Sequence, residues 1–126
     1  MKSYPTENIR NIVMVGHGGS GKTSLTEAML FCSGATTRLG KIAEGNTVSD
    51  FEEEEIRKGV SISTALAPIE WQDNKINILD APGYADFIGE LRAAMRVADL
   101  AVFVVSGVEG LEVQTQVAWN YAIELG

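Results

Sequence analysis

The chain has 126 residues, 45% hydrophobic and 21% charged, with three prolines and a single cysteine, ordinary globular usage that supports one modest core and excludes collagen-like, Pro-rich and disulfide-framed chains. No apolar run approaches the roughly eighteen residues of a membrane span, and the opening MKSYPTENIR lacks the apolar stretch of a secretory signal, so no membrane partner is expected and a reducing cytoplasm is the expected setting. A net charge of -7 argues against a basic nucleic-acid surface, and this acidic segment carries no direct nucleic-acid signal.

Ile9 to Val15, IRNIVMV, is a β-branched run that stops at Gly16 and reads as a buried strand. After a glycine-dense turn, Leu25, Ala28, Met29 and Cys32 recur at helical spacing, so a helix is expected over Lys22 to Cys32, with Cys32 packed on its apolar face and SGA as its stop. Residues 34 to 60 contain Gly34, Gly40, Gly45 and Gly59 without a sustained period and read as one long irregular segment, of the kind that is functional or mobile. The acidic run Glu52 to Glu55 inside it reads as a solvated charge run.

Ser61 to Trp71 is strand-like, with Ala65, Ala67, Ile69 and Trp71 on one face, and Pro68 marks it as an edge or bulged strand. The polar QDNK, Gln72 to Lys75, makes it a hairpin with Ile76 to Asp80. Beyond the Pro-Gly corner, Phe87, Ile88, Leu91, Ala94, Met95 and Ala98 mark a helix face. Leu100 to Val105 reads as a fully buried strand and Leu111 to Leu125 as a last helix. The order β, α, loop, β, β, α, β, α specifies an α/β fold, an open, mostly parallel sheet flanked by helices.

Gly16 to Thr23, GHGGSGKT, fits the phosphate-loop pattern of glycine, four residues, glycine, lysine and Ser/Thr, and it lies between a strand and a helix as that motif requires. Gly18, Gly19 and Gly21 let backbone N–H groups turn toward phosphate oxygens, and the helix start adds its partial positive charge. Lys22 supplies a mobile charge for β- and γ-phosphates and Thr23 a hydroxyl for Mg²⁺. The nucleotide-binding set is therefore Gly16, His17, Gly18, Gly19, Ser20, Gly21, Lys22, Thr23 and Ser24. His17, the only histidine, has no companion at metal-ligand spacing and reads as a loop position without acid–base duty.

DAPG, Asp80 to Gly83, completes the constellation: a carboxylate at a strand's C-terminal end faces the ligand crevice of an open α/β sheet and can serve Mg²⁺, while Gly83 can bring a backbone N–H to a γ-phosphate.

GHGGSGKT, RKGVSI, INILDAPGYADF and VVSGVEGLEVQTQ resemble, in order and spacing, the start of the GTP-binding domain of the translation elongation factor G family, over nearly the whole chain. The Gly-Gly-Ser phosphate loop is similar to the elongation factor G-like branch. The resemblance implies a truncated phosphate-loop, translational-GTPase domain, residues 1–126 being its N-terminal part. Strand and phosphate loop occupy 9–23, a first switch about 34–61 and a second about 80–90, and several further domains would follow. It implies GTP and GDP as ligands, Mg²⁺ held by Thr23, Ser61 and Asp80, and the ribosome as partner of the full-length protein.

Three departures stand out. Gly19 replaces an aspartate of most translation factors, and the guanine-reading Asn-Lys-x-Asp motif does not occur within these residues. Tyr84 takes the place of the histidine that orients the attacking water. A phenol can hold water by a hydrogen bond but does not share imidazole chemistry near neutral pH. The expectation is a Mg²⁺-dependent GTPase with Lys22 and Tyr84 as catalytic residues. The alternative is a GTP-binding switch with weak or no hydrolysis on account of Tyr84, and an ATPase of another phosphate-loop family is a third reading.

Overall fold

A computed structural model describes residues 2–48, 52–58 and 61–126; Gly59, among the glycines of the long irregular segment, lies outside the described residues. Four strands form one sheet in the order β2-β3-β1-β4: β1, Ile9–Val15; β2, Ala65–Trp71; β3, Asn74–Asp80; and β4, Leu100–Phe103. β1 runs parallel to both β3 and β4, whereas β2 and β3 are antiparallel. The expected open, mostly parallel sheet is thus formed, with one antiparallel edge strand.

Alternation along β1 creates two cores. Val13 and Val15 point to one face, where Ala81, Leu91, Ala94, Met95 and Ala118 join them beneath helices α3, Ile88–Val97, and α4, Val113–Leu125. Met14 points to the other, with Ala67, Ile69, Ile78 and Leu30 beneath helix α1, Lys22–Cys32. All three of these β1 residues are fully buried, as expected of a central parallel strand covered on both faces.

The bounds of β1 and α1 are those expected, but the inner face of α1 differs. Lys22, Thr23, Thr26, Glu27 and Leu30 are buried, while Leu25 and Cys32 are exposed. The phosphate-loop motif dictates this: once Lys22 and Thr23 point inward, a 3.6-residue period carries Thr26, Glu27 and Leu30 with them.

β2 starts at Ala65 rather than Ser61, and Trp71 at its end is exposed. Pro68 sits on this edge strand opposite Asn77. The hairpin turn is tighter than QDNK, because Trp71 pairs with Asn74 and only Gln72 and Asp73 turn, both at positive φ (45° and 60°). That is the type I′ geometry whose twist suits two strands. β4 is the opposite edge of the sheet and is only partly covered, Leu100 being exposed. The buried strand expected at Leu100 to Val105 is therefore half-buried and shorter.

The segment from 34 to 60 is not wholly irregular: Ile42–Glu44 form a 3-10 turn and Glu53–Lys58 a short helix, α2.

Candidate functional site

The site forms where β1 and β3 end together. β1 stops at Gly16, whose missing side chain leaves room for the carbonyl of Val104. The loop then turns through Gly19 (φ 82°) and Gly21 (φ 104°), left-handed conformations that favour glycine. Leu25 N–H donates to the Gly21 carbonyl at 2.9 Å, so the amides of Gly21 to Ser24 lie ahead of the helical ladder, where a helix offers donors to an anion. Lys22 is buried, and its ammonium donates to the His17 carbonyl at 2.9 Å. Ser20 N–H donates to the same carbonyl at 3.2 Å, which keeps the loop curled. Ser24 is exposed to solvent.

Three hydroxyl and carboxyl groups from distant segments meet at the foot of this loop. Thr23 Oγ1 donates to Asp80 Oδ2 at 2.7 Å and lies 3.3 Å from Ser61 Oγ. Asp80 and Thr23 are both buried. The residues expected to serve Mg²⁺ are thus neighbours, although 38 and 57 positions separate the pairs. All are hard oxygen donors, the set that suits Mg²⁺ rather than a softer metal.

The 80–90 segment lies directly on the loop. Gly18 N–H donates to the Gly83 carbonyl at 3.1 Å. A Cβ on Gly83 would lie 2.5 Å from the Lys22 ammonium, 2.6 Å from the Gly16 carbonyl and 2.6 Å from the Gly18 nitrogen. Only glycine permits that approach. A Cβ on Gly18 would run into the ring of Tyr84, which rests against the loop while 42% exposed.

The sequence reading left four features unseen. His17 is buried, and its Nε2 lies 2.7 Å from Oε2 of Glu109, in the loop after β4. Glu27, almost wholly buried, accepts from Val48 N–H at 2.6 Å, and Gly40 approaches the same carboxylate too closely for any side chain. Glu90 of α3 accepts from Thr64 N–H at 3.0 Å.

The fourth, Glu55, corrects the reading of Glu52 to Glu55 as a solvated run. Its neighbours in the run are exposed, but Glu55 is 1% exposed. Its Oε1 accepts from the N–H groups of Ile62 at 2.9 Å and Ser63 at 3.1 Å, and its Oε2 from Glu52 N–H at 3.1 Å. Glu54 is the contrast: exposed, its carboxyl is held below the ordinary range first by the hydrogen bond from Lys58 and then by that ammonium's charge. A period-based search for inward residues could have flagged Glu27; Glu55 carried no such signal, since two of its partners lie seven and eight positions on, beyond the helix.

A curled glycine loop at a helix start, with a buried lysine and an acidic strand end beside it, is built for polyanionic oxygen, and on this sheet it defines a phosphate-loop nucleotide-binding domain. The family of the elongation factor Tu GTP binding domain matches residues 7–126, and the chain belongs to that family of guanine-nucleotide-binding domains. An elongation factor G-like protein of Mycobacterium tuberculosis is 44% identical over 97% of this chain and 18% of its own length. A mitochondrial ribosome-releasing factor 2 of Debaryomyces hansenii is also 44% identical, over 100% of this chain and 15% of its own. A crystal structure from Thermus thermophilus superposes with a TM-score of 0.91 at 44% identity, covering 94% of this chain and 18% of the other. The chain therefore spans less than a fifth of the curated relatives cited here. Among the described residues no helix is long and apolar enough to cross a membrane.

Proposed function

We propose that the chain is the phosphate- and magnesium-binding part of a cytoplasmic translational GTPase that hydrolyses GTP to GDP and phosphate in concert with the ribosome. The convergence of Thr23, Ser61 and Asp80 beside a buried Lys22 supports it most directly. In this reading the amides of residues 16 to 24 and the Lys22 ammonium bind the phosphates, and Thr23, Ser61 and Asp80 hold Mg²⁺. The bound ion supplies neutralisation of the β- and γ-phosphate charge.

Residues 34–61 and 80–90 then act as two switches. Gly83, already within reach of Lys22 and the loop backbone, senses the γ-phosphate, and the Tyr84 hydroxyl holds the attacking water. Tyr84 also motivates the second reading: with its ring laid on Gly18, it can shield the site so that GTP is bound but hydrolysed slowly. Single-turnover hydrolysis by the complete protein, with and without ribosomes, separates the two. Ribosome-stimulated phosphate release supports the GTPase; its absence with GTP binding intact leaves only the switch.

A further inference from the structure

We propose that Glu55 is a positioning residue for the magnesium site: its buried carboxylate fixes the backbone just after Ser61 and thereby holds the Ser61 hydroxyl against Thr23 and Asp80. The proposal rests on the reading of Ser61 as a magnesium ligand.

A buried carboxylate must have its charge answered by donors, and Glu55 has three backbone N–H groups around it. One of them is local. Glu52 immediately precedes α2 and Glu55 is that helix's third residue, so the bond back to Glu52 N–H is one half of a capping box. The other two are not local, since Ile62 and Ser63 lie beyond the helix.

Two successive amides on one oxygen fix two successive peptide planes, and therefore the direction in which the chain leaves Ser61. Ser63 Oγ adds a weaker tie to Glu52 Oε1 at 3.4 Å. One residue further, Glu90 on α3 takes the Thr64 amide. Ser61 itself is held on the site side by Thr23 Oγ1 at 3.3 Å. The short helix thus works as a bracket that carries its carboxylate to the base of the segment bearing Ser61, ahead of β2. The acidic run accordingly has two kinds of member: three solvated residues and one structural anion.

Glu55→Gln tests this because it keeps volume while removing an acceptor. Both oxygens receive N–H groups, so whichever way the amide is turned its NH₂ meets a donor. The readouts in the complete protein are the Mg²⁺ concentration giving half-maximal binding of a fluorescent GTP analogue, and hydrogen exchange at Ile62 and Ser63 without ligands. We expect the Mg²⁺ requirement to rise about tenfold, as for loss of other groups that orient metal ligands, and exchange at Ile62 and Ser63 to quicken while β1 amides stay protected. In a Ser61→Ala background the same substitution is expected to shift the Mg²⁺ requirement by less than about twofold, because nothing is left to position.

An equal shift in both backgrounds, or unchanged exchange at Ile62 and Ser63, overturns the proposal. Loss of β1 protection would mean that Glu55 holds the whole domain, and would overturn it as well. If Ser61→Ala alone leaves the Mg²⁺ requirement unchanged, the magnesium reading of Ser61 fails and takes the inference with it. If Ser61→Ala shifts that requirement and Glu55→Gln does not, only the inference fails.

Discussion

Gly83→Ala is the sharpest perturbation that the site allows. The added methyl would sit 2.5 to 2.6 Å from three atoms, two of them backbone in the phosphate loop, where carbon contacts prefer roughly 3.5–4.0 Å. The 80–90 segment must then retreat by about 1 Å from the loop, the shortfall against that preferred spacing. Overpacking of this kind costs about 1–3 kcal/mol. At about 1.4 kcal/mol per decade, the docked arrangement should lose roughly 5- to 150-fold in population. The loop, Lys22 and Thr23 remain, so affinity for a fluorescent GTP analogue should change by less than about threefold, while ribosome-stimulated single-turnover hydrolysis falls by about tenfold or more. Hydrolysis within about twofold of the parent, with the substitution in place and the protein folded, would refute the idea that this docking serves catalysis.

Gly18→Ala should act differently: the atoms nearest its methyl belong to the Tyr84 ring, an exposed side chain that can swing away, so stability holds while hydrolysis changes with the ring's position, as thermal melts beside kinetics would reveal. If the Tyr84 hydroxyl holds water, Tyr84→Phe slows single-turnover hydrolysis and Tyr84→His preserves or raises it; equal rates for Phe and Tyr mean that the ring only packs. Asp80→Asn, at the residue that receives the Thr23 hydroxyl, should raise the Mg²⁺ requirement for nucleotide binding by about tenfold or more in a metal titration. Ile78→Ala, fully buried in the cluster of Met14 and Ala67, should cost about 2–5 kcal/mol in denaturant melts.

What the sequence disclosed follows the range of the interactions. β1 and α1 were legible to the residue because a β-branched run, a phosphate-loop pattern and a helical period are all local signals. The hairpin and the antiparallel edge strand were legible because a polar turn and Pro68 announce them. Thr23 and Asp80 were paired from the phosphate-loop pattern and the strand-end carboxylate, Ser61 was added only through resemblance, and the fold brings the three together.

The rest was hidden for physical reasons. Apolar periodicity picked Leu25 and Cys32 for the inner face of α1, but this helix is oriented by the lysine and threonine of its phosphate loop, so its inner stripe is largely polar. Buried carboxylates defeat composition-based reading altogether, since Glu27 and Glu55 look like surface residues until their amide partners are placed around them. His17 and Glu109 stand 92 positions apart, and no local pattern could pair them.

The hairpin tip at Gln72 and Asp73 has a use of its own. β3 leads away from it over seven residues, the last of them Asp80, which places the turn about 20 Å from that carboxylate at roughly 3.3 Å per residue. Gln72 is not a type that favours left-handed backbone, and Asp73 accepts it less readily than glycine, so replacing the pair by Asn-Gly should relax strain of the order of 1 kcal/mol. The tip is therefore an anchorage for a dye or surface tether: a group fixed there stands at the end of the sheet away from the nucleotide site, and the relaxed turn offsets the burden of carrying it.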